Sequence, residues 1–208
     1  MVLITTALQE TFPKDINKKV LFLGEWCKVY SNKPAWQKFN SKTMPYHWDD
    51  RKKLYTDYQN IQIIYEKILL ELSSKLNQTH QVNYSLRYWR ILIGPWLGYF
   101  IQMLFDRWFM LNTAFDSNQK YHCCIIRRDN YSSVPYNMNS FEQQFITDEW
   151  NEVIYGQLIE LCWANKVNIT RIEKIKQAPQ PIAKKIPIKK YIKEAILPFL
   201  SKFFIKDN

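Results

Sequence analysis

Two short stretches of this 208-residue chain concentrate side chains that could do chemistry. In His47-Trp48-Asp49-Asp50 an imidazole stands beside carboxylates. Nearby negative charge raises a histidine's pKa and orients its ring, which suits a general base. The same acids would equally suit the first turn of a helix, where they meet the positive end of its dipole. The second stretch is Arg87-Tyr88-Trp89-Arg90, with Asp106-Arg107-Trp108 further on. Arg87 and Arg90 share a face if the segment is helical, and not if it is extended. Guanidinium groups offer a planar fork to phosphate, and the neighbouring rings could stack on a base or sugar. Ion pairing with Asp106 or another acid at the rim of an apolar helix is the plainer use of these arginines. A third position, Gly24-Glu25-Trp26-Cys27, follows a compact apolar run. Ligands of open α/β sheets gather at strand carboxyl ends, although a simple turn with Trp26 tucked into the core would read the same.

Composition removes other chemistries. Four glycines leave no GxGxxG and no GxxxxGK[ST], so phosphate would have to be held by side chains, helix N-termini or residues outside this chain. His47, His80 and His122 lie far apart, and Cys27, Cys123, Cys124 and Cys162 form no CxxC pair. On a strand Cys123 and Cys124 would point to opposite faces, so neither a metal nor another cofactor is expected. The cysteine usage fits a reducing, cytosolic setting, and the first residues lack the features of a signal peptide. Of the net charge of +10, most lies late: residues 166–208 hold 11 Lys or Arg against 3 Asp or Glu. No nucleic-acid reading module accompanies that surplus, and nucleic acid is not an expected partner.

The elements that must position these residues follow from periodicity. Val2–Thr6, Val20–Gly24 and Tyr121–Ile126 read as short buried strands. Residues 31–48 read as an irregular connection. Leu54, Tyr58, Ile61, Tyr65, Ile68, Leu69, Leu72 and Leu76 recur at helical steps, giving an amphipathic helix that opens at Asp49-Asp50 and ends before His80. Residues 91–105 are apolar apart from Gln102. At 15 residues the run is short of the roughly 20 needed to span a bilayer, so a buried helix is expected. Pro95 is expected in its first turn, after a separate element at Arg87–Ile93. Helices are also expected from about Ser140 and over Asp148–Asn165. The fold class is helix-rich α/β, with a domain over 1–165 and a basic linker and tail over 166–208.

Several segments, in order, resemble a known family. They are Leu3-Ile4-Thr5-Thr6-Ala7, Leu21-Phe22-Leu23-Gly24-Glu25-Trp26-Cys27, Pro45-Tyr46-His47-Trp48-Asp49-Asp50-Arg51, Leu76-Asn77, His80, and Arg87-Tyr88-Trp89-Arg90-Ile91-Leu92-Ile93-Gly94-Pro95-Trp96-Leu97. Over about residues 2–165 the chain is similar to the N-terminal region of transferases encoded in bacterial O-antigen and other surface-carbohydrate loci. The resemblance implies a glycosyltransferase-like enzyme of surface-polysaccharide assembly, with two Rossmann-like (GT-B-like) halves. This chain corresponds to the N-terminal half and lacks the second, where the sugar-nucleotide donor would bind. A carbohydrate or lipid-linked acceptor is the partner expected here. At the motif positions, Glu25, His47 and Asp49 are the catalytic candidates. Trp48, His80, Arg87, Trp89, Arg90 and Arg107 are the candidates for substrate contact.

Two function classes therefore stand side by side: a transferase half, and a non-catalytic binding or scaffold remnant of such an enzyme. The tail bears on location. Ile188, Ile192, Ala195, Ile196, Phe199 and Phe203 lie at helical steps among lysines of the 184–206 stretch. Such a pattern suits contact with an anionic membrane, placing the protein in the cytoplasm and peripherally on the inner face of the cytoplasmic membrane. Packing against the absent half would also account for it.

Overall fold

The computed structural model describes residues 1–117, 119–127 and 134–173. Two compact units emerge, one from 1–46 with the described residues from 108 onward, the other His47–Arg107. The tail stretch 184–206 lies outside the described residues.

The first unit is built on a five-stranded, wholly parallel sheet. Its strands are β1 (Val2–Ile4), β2 (Val20–Phe22), β3 (Ser41–Thr43), β4 (Tyr121–Arg127) and β5 (Val167–Glu173), in the order β3-β2-β1-β4-β5. All six residues of β1 and β2 are buried. This continuous apolar character is that of central parallel strands covered on both faces. Phe12 packs its ring on Phe22 and on Phe39, at centroid distances of 6.1 and 6.2 Å. Among the described residues three α-helices lie wholly in this unit: α1 (Lys33–Trp36), α4 (Met138–Gln144) and α5 (Asp148–Cys162). Helix α5 meets β4 at Gly156, where an added β-carbon would lie 2.8 Å from Ile125 Cγ2.

The second unit is a helical hairpin of α2 (Arg51–His80) and α3 (Leu86–Phe115), of which α3 continues into the first unit from Trp108. Asp50 caps α2, accepting from the backbone N–H groups of Lys52 and Lys53. The hairpin turn begins at Gln81, a non-glycine residue in the left-handed region with φ 55°. Asn77 fixes the turn: its amide donates to Tyr84 O, and its Oδ1 accepts from Tyr84 N and Trp89 Nε1.

Some expectations change. Leu86–Phe115 is one helix with Pro95 inside it, and no separate element precedes the proline. A helix-interior proline leaves a carbonyl four residues back without its N–H. That residue is Ile91, 71% exposed, so the carbonyl sits on the outward side of the helix. Part of the apolar run is correspondingly outside: Ile91, Leu92 and Tyr99 are exposed, while Leu97, Ile101 and Leu104 are buried. Among the described residues no helix is long and apolar enough to cross a membrane. Residues 31–48, read as irregular, contain α1 and β3. The composition change at 165/166 precedes β5 by a residue, so the sheet takes in seven residues that composition assigned to the tail.

All four cysteines are free, Cys27 and Cys123 buried and the others partly so. Burial raises Cys27 from its ordinary 9.0 to about 12, and pushes Cys123 up as well, with the Glu152 charge adding to both. Unfolded thiols ionise near pH 9 and the buried ones do not. Their stabilising contribution is therefore intact below pH 9 and is lost as pH rises through the folded pKa. Thermal unfolding should move to lower temperature between pH 9 and 11, and Cys27→Ala should flatten that dependence.

Candidate functional site at the carboxyl edge of the sheet

Strand order reverses between β1 and β4, and in such sheets the carboxyl ends beside the reversal form the ligand-binding edge. The β1–β4 ladder is registered only at Val2↔His122 and Leu3↔Cys123. Beyond it a side chain takes over. Glu152 of α5 accepts hydrogen bonds from Thr5 Oγ1 (3.3 Å) and Thr6 Oγ1 (3.1 Å) through one carboxylate oxygen, and from Ile126 N (3.3 Å) through the other. Glu152 is 1% exposed. One helical turn earlier on α5, Asp148 accepts from Ala7 N at 3.0 Å. Thr147 caps the helix so that this turn meets the end of β1. Two carboxylates of one helix face thus tie residues 5–7 to α5, and Glu152 links them to β4.

On the other side of β1, the ends of three strands converge on one ring. Trp26 donates from Nε1 to Thr5 O at 2.9 Å, just past β1. Its six-membered ring lies over Gly24, just past β2, where a β-carbon would occupy the same space. Its other neighbour is Tyr46, just past β3, whose ring stands at 85° to it with centroids 6.1 Å apart. Gly24 has extended backbone angles (φ −169°), so it is the ring's proximity and not the chain's conformation that calls for glycine. Glu25 occupies the same turn with its side chain 75% exposed, bonded to Lys28 at 2.9 Å. Lys28 also lies over the Trp36 ring. The turn carries an accessible carboxylate, a half-buried indole and no net charge.

The remaining candidates lie in the hairpin unit. His47 is 5% exposed in its side chain and stands between two carboxylates, with Nε2 3.0 Å from Asp106 Oδ1 and Nδ1 3.8 Å from Asp57 Oδ2. Trp48 Nε1 and Lys53 Nζ both donate to Asp57, and Arg107 donates to Asp106 at 2.6 Å. Thus His47, Trp48 and Arg107 come together through two aspartates of different helices. Asp49 is exposed at the start of the unit. His80 and Trp89 stack near the hairpin turn, at 6.3 Å between centroids. His80 lies 23 residues along α2 from Asp57, about 35 Å, so the two sets do not share one ligand. Arg90 is taken up by Glu66 in a bidentate pair, 2.6 Å at each nitrogen, that holds the Glu66 carboxyl below its usual range. Arg87, one turn earlier, is exposed.

Sequence reasoning missed Glu152, Asp148, Asp57 and the Thr5-Thr6 pair as site-building residues. For Glu152 a signal exists: it falls on the face of α5 that carries Tyr155, Gly156 and Ile159, all buried. A carboxylate on a buried helix face requires donors from elsewhere in the fold.

Five parallel strands whose order reverses between β1 and β4 are consistent with a Rossmann-like α/β fold. The chain belongs to the LIC12162 family of transferases, whose family model matches residues 1–207. Comparison with curated proteins and with solved structures returned no match.

The Glu152 tie should be measurable. Glu152→Ala leaves two hydroxyls and an N–H buried without their acceptor, at about 1–3 kcal/mol per group in the worst case. Denaturant unfolding should show a loss of at least about 3 kcal/mol. Glu152→Gln, which keeps one acceptor oxygen, should lose less than half as much.

Proposed function

We propose that this chain is the acceptor-side half of a glycosyltransferase-like enzyme of bacterial surface-polysaccharide (O-antigen) assembly, with Glu25 as its general base. Membership in a transferase family supports the reaction class. The observation that carries the assignment of Glu25 is its place: an exposed carboxylate at the carboxyl end of a central parallel strand. His47 is in a different situation, with each ring nitrogen facing a carboxylate. In this reading His47 positions the base of the hairpin, and Glu25 meets the acceptor.

The chemistry is an inverting transfer. The Glu25 carboxylate takes the proton of an acceptor hydroxyl as that oxygen attacks the anomeric carbon of the donor sugar. A carbon–oxygen bond forms on one face while the bond to the nucleoside diphosphate breaks on the other, and the diphosphate leaves with the electron pair. Its charge needs cations. In this reading the donor and those cations belong to a second half of a two-half, GT-B-like enzyme. A lipid-linked acceptor would bring the enzyme to the inner face of the cytoplasmic membrane, a setting suited to the basic 184–206 stretch.

The test is a chromosomal Glu25→Gln substitution scored by the surface-polysaccharide ladder on gels, with Asp49→Asn as comparison. Removing a general base slows transfer about 10²–10⁴-fold, enough to empty the ladder while protein level and unfolding temperature stay unchanged. Asp49→Asn should leave it full. A full ladder from Glu25→Gln would overturn the base assignment.

A further inference from the structure

We infer that Trp26 and Tyr46 form a stacking corner for a neutral pyranose ring, the sugar of the acceptor. The inference rests on the reading of this sheet edge as the acceptor site and names what the site recognises.

The corner is built rather than incidental. A lone aromatic at a turn could take many rotamers, but Trp26 is fixed at three points. Its N–H is spent on Thr5 O, its ring is seated on the bare Cα of Gly24, and the Tyr46 ring stands across it at 85°. One of four glycines in the chain is thereby committed to making room for this ring. Half-buried and held, the indole keeps a fixed apolar surface beside the Tyr46 ring, perpendicular to it. Rigid aromatic surfaces of this kind bind with little loss of side-chain freedom.

Charge decides between ligands that stack. A nucleotide brings phosphates, and this turn gives them nothing: the Glu25 carboxylate repels them, and the Lys28 ammonium is already bonded to Glu25 and lies over Trp36. No glycine-rich run of N–H groups follows β1, where Thr5-Thr6-Ala7 instead spend their groups on Glu152 and Asp148. A neutral sugar has the complementary chemistry. The C–H face of its ring covers an aromatic surface, and its hydroxyls donate to a carboxylate, which only accepts. With Trp26 and Glu25 adjacent in sequence, a ring stacked on one presents its hydroxyl edge to the other. The residue that abstracts the proton and the ring that places the hydroxyl are then neighbours.

Saturation-transfer NMR on the full chain tests this, with methyl glycosides of glucose, galactose and N-acetylglucosamine as probes and uridine monophosphate as comparison. At least one glycoside should receive saturation mainly at the hydrogens of one ring face. Trp26→Ala should reduce the signal at least tenfold, and Trp26→Phe should retain most of it. Gly24→Ala, which displaces the indole without removing it, should behave as Trp26→Ala does. Circular dichroism and unfolding temperature identify any variant that fails to fold, and Trp26→Phe with Gly24→Ala then carries the comparison. Absence of glycoside signal, equal signal in Gly24→Ala, or signal from the nucleotide alone would each overturn the inference. The outcome separates from that of the Glu25 test. A glycoside held on Trp26 beside a full ladder in Glu25→Gln would mean a binding corner without that base. An empty ladder with no glycoside signal would mean the base without this corner.

Discussion

A buried carboxylate holds the carboxyl end of this sheet together. Strands β1 and β4 part after two registered pairs, and at a parting of this kind backbone groups lose their partners away from water. Glu152 supplies acceptors to the Thr5 and Thr6 hydroxyls on one side and the Ile126 N–H on the other. Asp148, a turn earlier, does the same for Ala7 N. Burying a charge is costly unless it is fully hydrogen-bonded, so α5 can sit here only if these donors are placed correctly. The arrangement is selective for one register of α5 on the sheet, since a shift by one residue would bring Asn151 or Val153 to the same position. Gly156 enforces the register again through its close approach to Ile125.

With that end fixed, the opposite flank of β1 carries the Trp26 turn. Thr5 links the two sides: its hydroxyl serves Glu152 and its carbonyl receives the Trp26 indole. The seat of Trp26 therefore depends on the Glu152 tie through one residue. The hairpin unit carries a separate polar cluster in which two aspartates, a histidine, a lysine and an arginine lie within ion-pair reach of one another. His47 is hydrogen-bonded to Asp106 of α3 and faces Asp57 of α2 at 3.8 Å.

How much of this was legible in the sequence depends on where each residue sits. The central strands β1, β2 and β4 could be read because their neighbours bury both faces and so demand apolar runs. Edge strands face weaker demands. Ser41-Lys42-Thr43 has no apolar pattern at all, and its strand state comes from pairing with β2. Val167–Glu173 alternates at first, but its charges merged with those of the tail. Helix α2 was legible from periodicity and Asp50 as its opening, whereas Pro95 suggested a break that the exposed side of α3 accommodates. The sites were legible by location only. The turn after β2 could be marked as a strand end, but Trp26 could not be told from a core residue without Gly24, Thr5 and Tyr46 around it. The two arginines three apart looked equivalent; Glu66, a full helix away in sequence, engages Arg90, which differs from Arg87 in this.

The central claim is that acceptor sugar meets the carboxyl edge formed by the ends of β1, β2 and β3. Photolabelling with a diazirine-bearing methyl pyranoside, followed by mass spectrometric mapping of the adducts, tests it most directly. Adducts should concentrate on Glu25, Trp26 and Tyr46 and be competed away by the unmodified glycoside. Competed adducts on His47–Arg107 in place of these residues would contradict it.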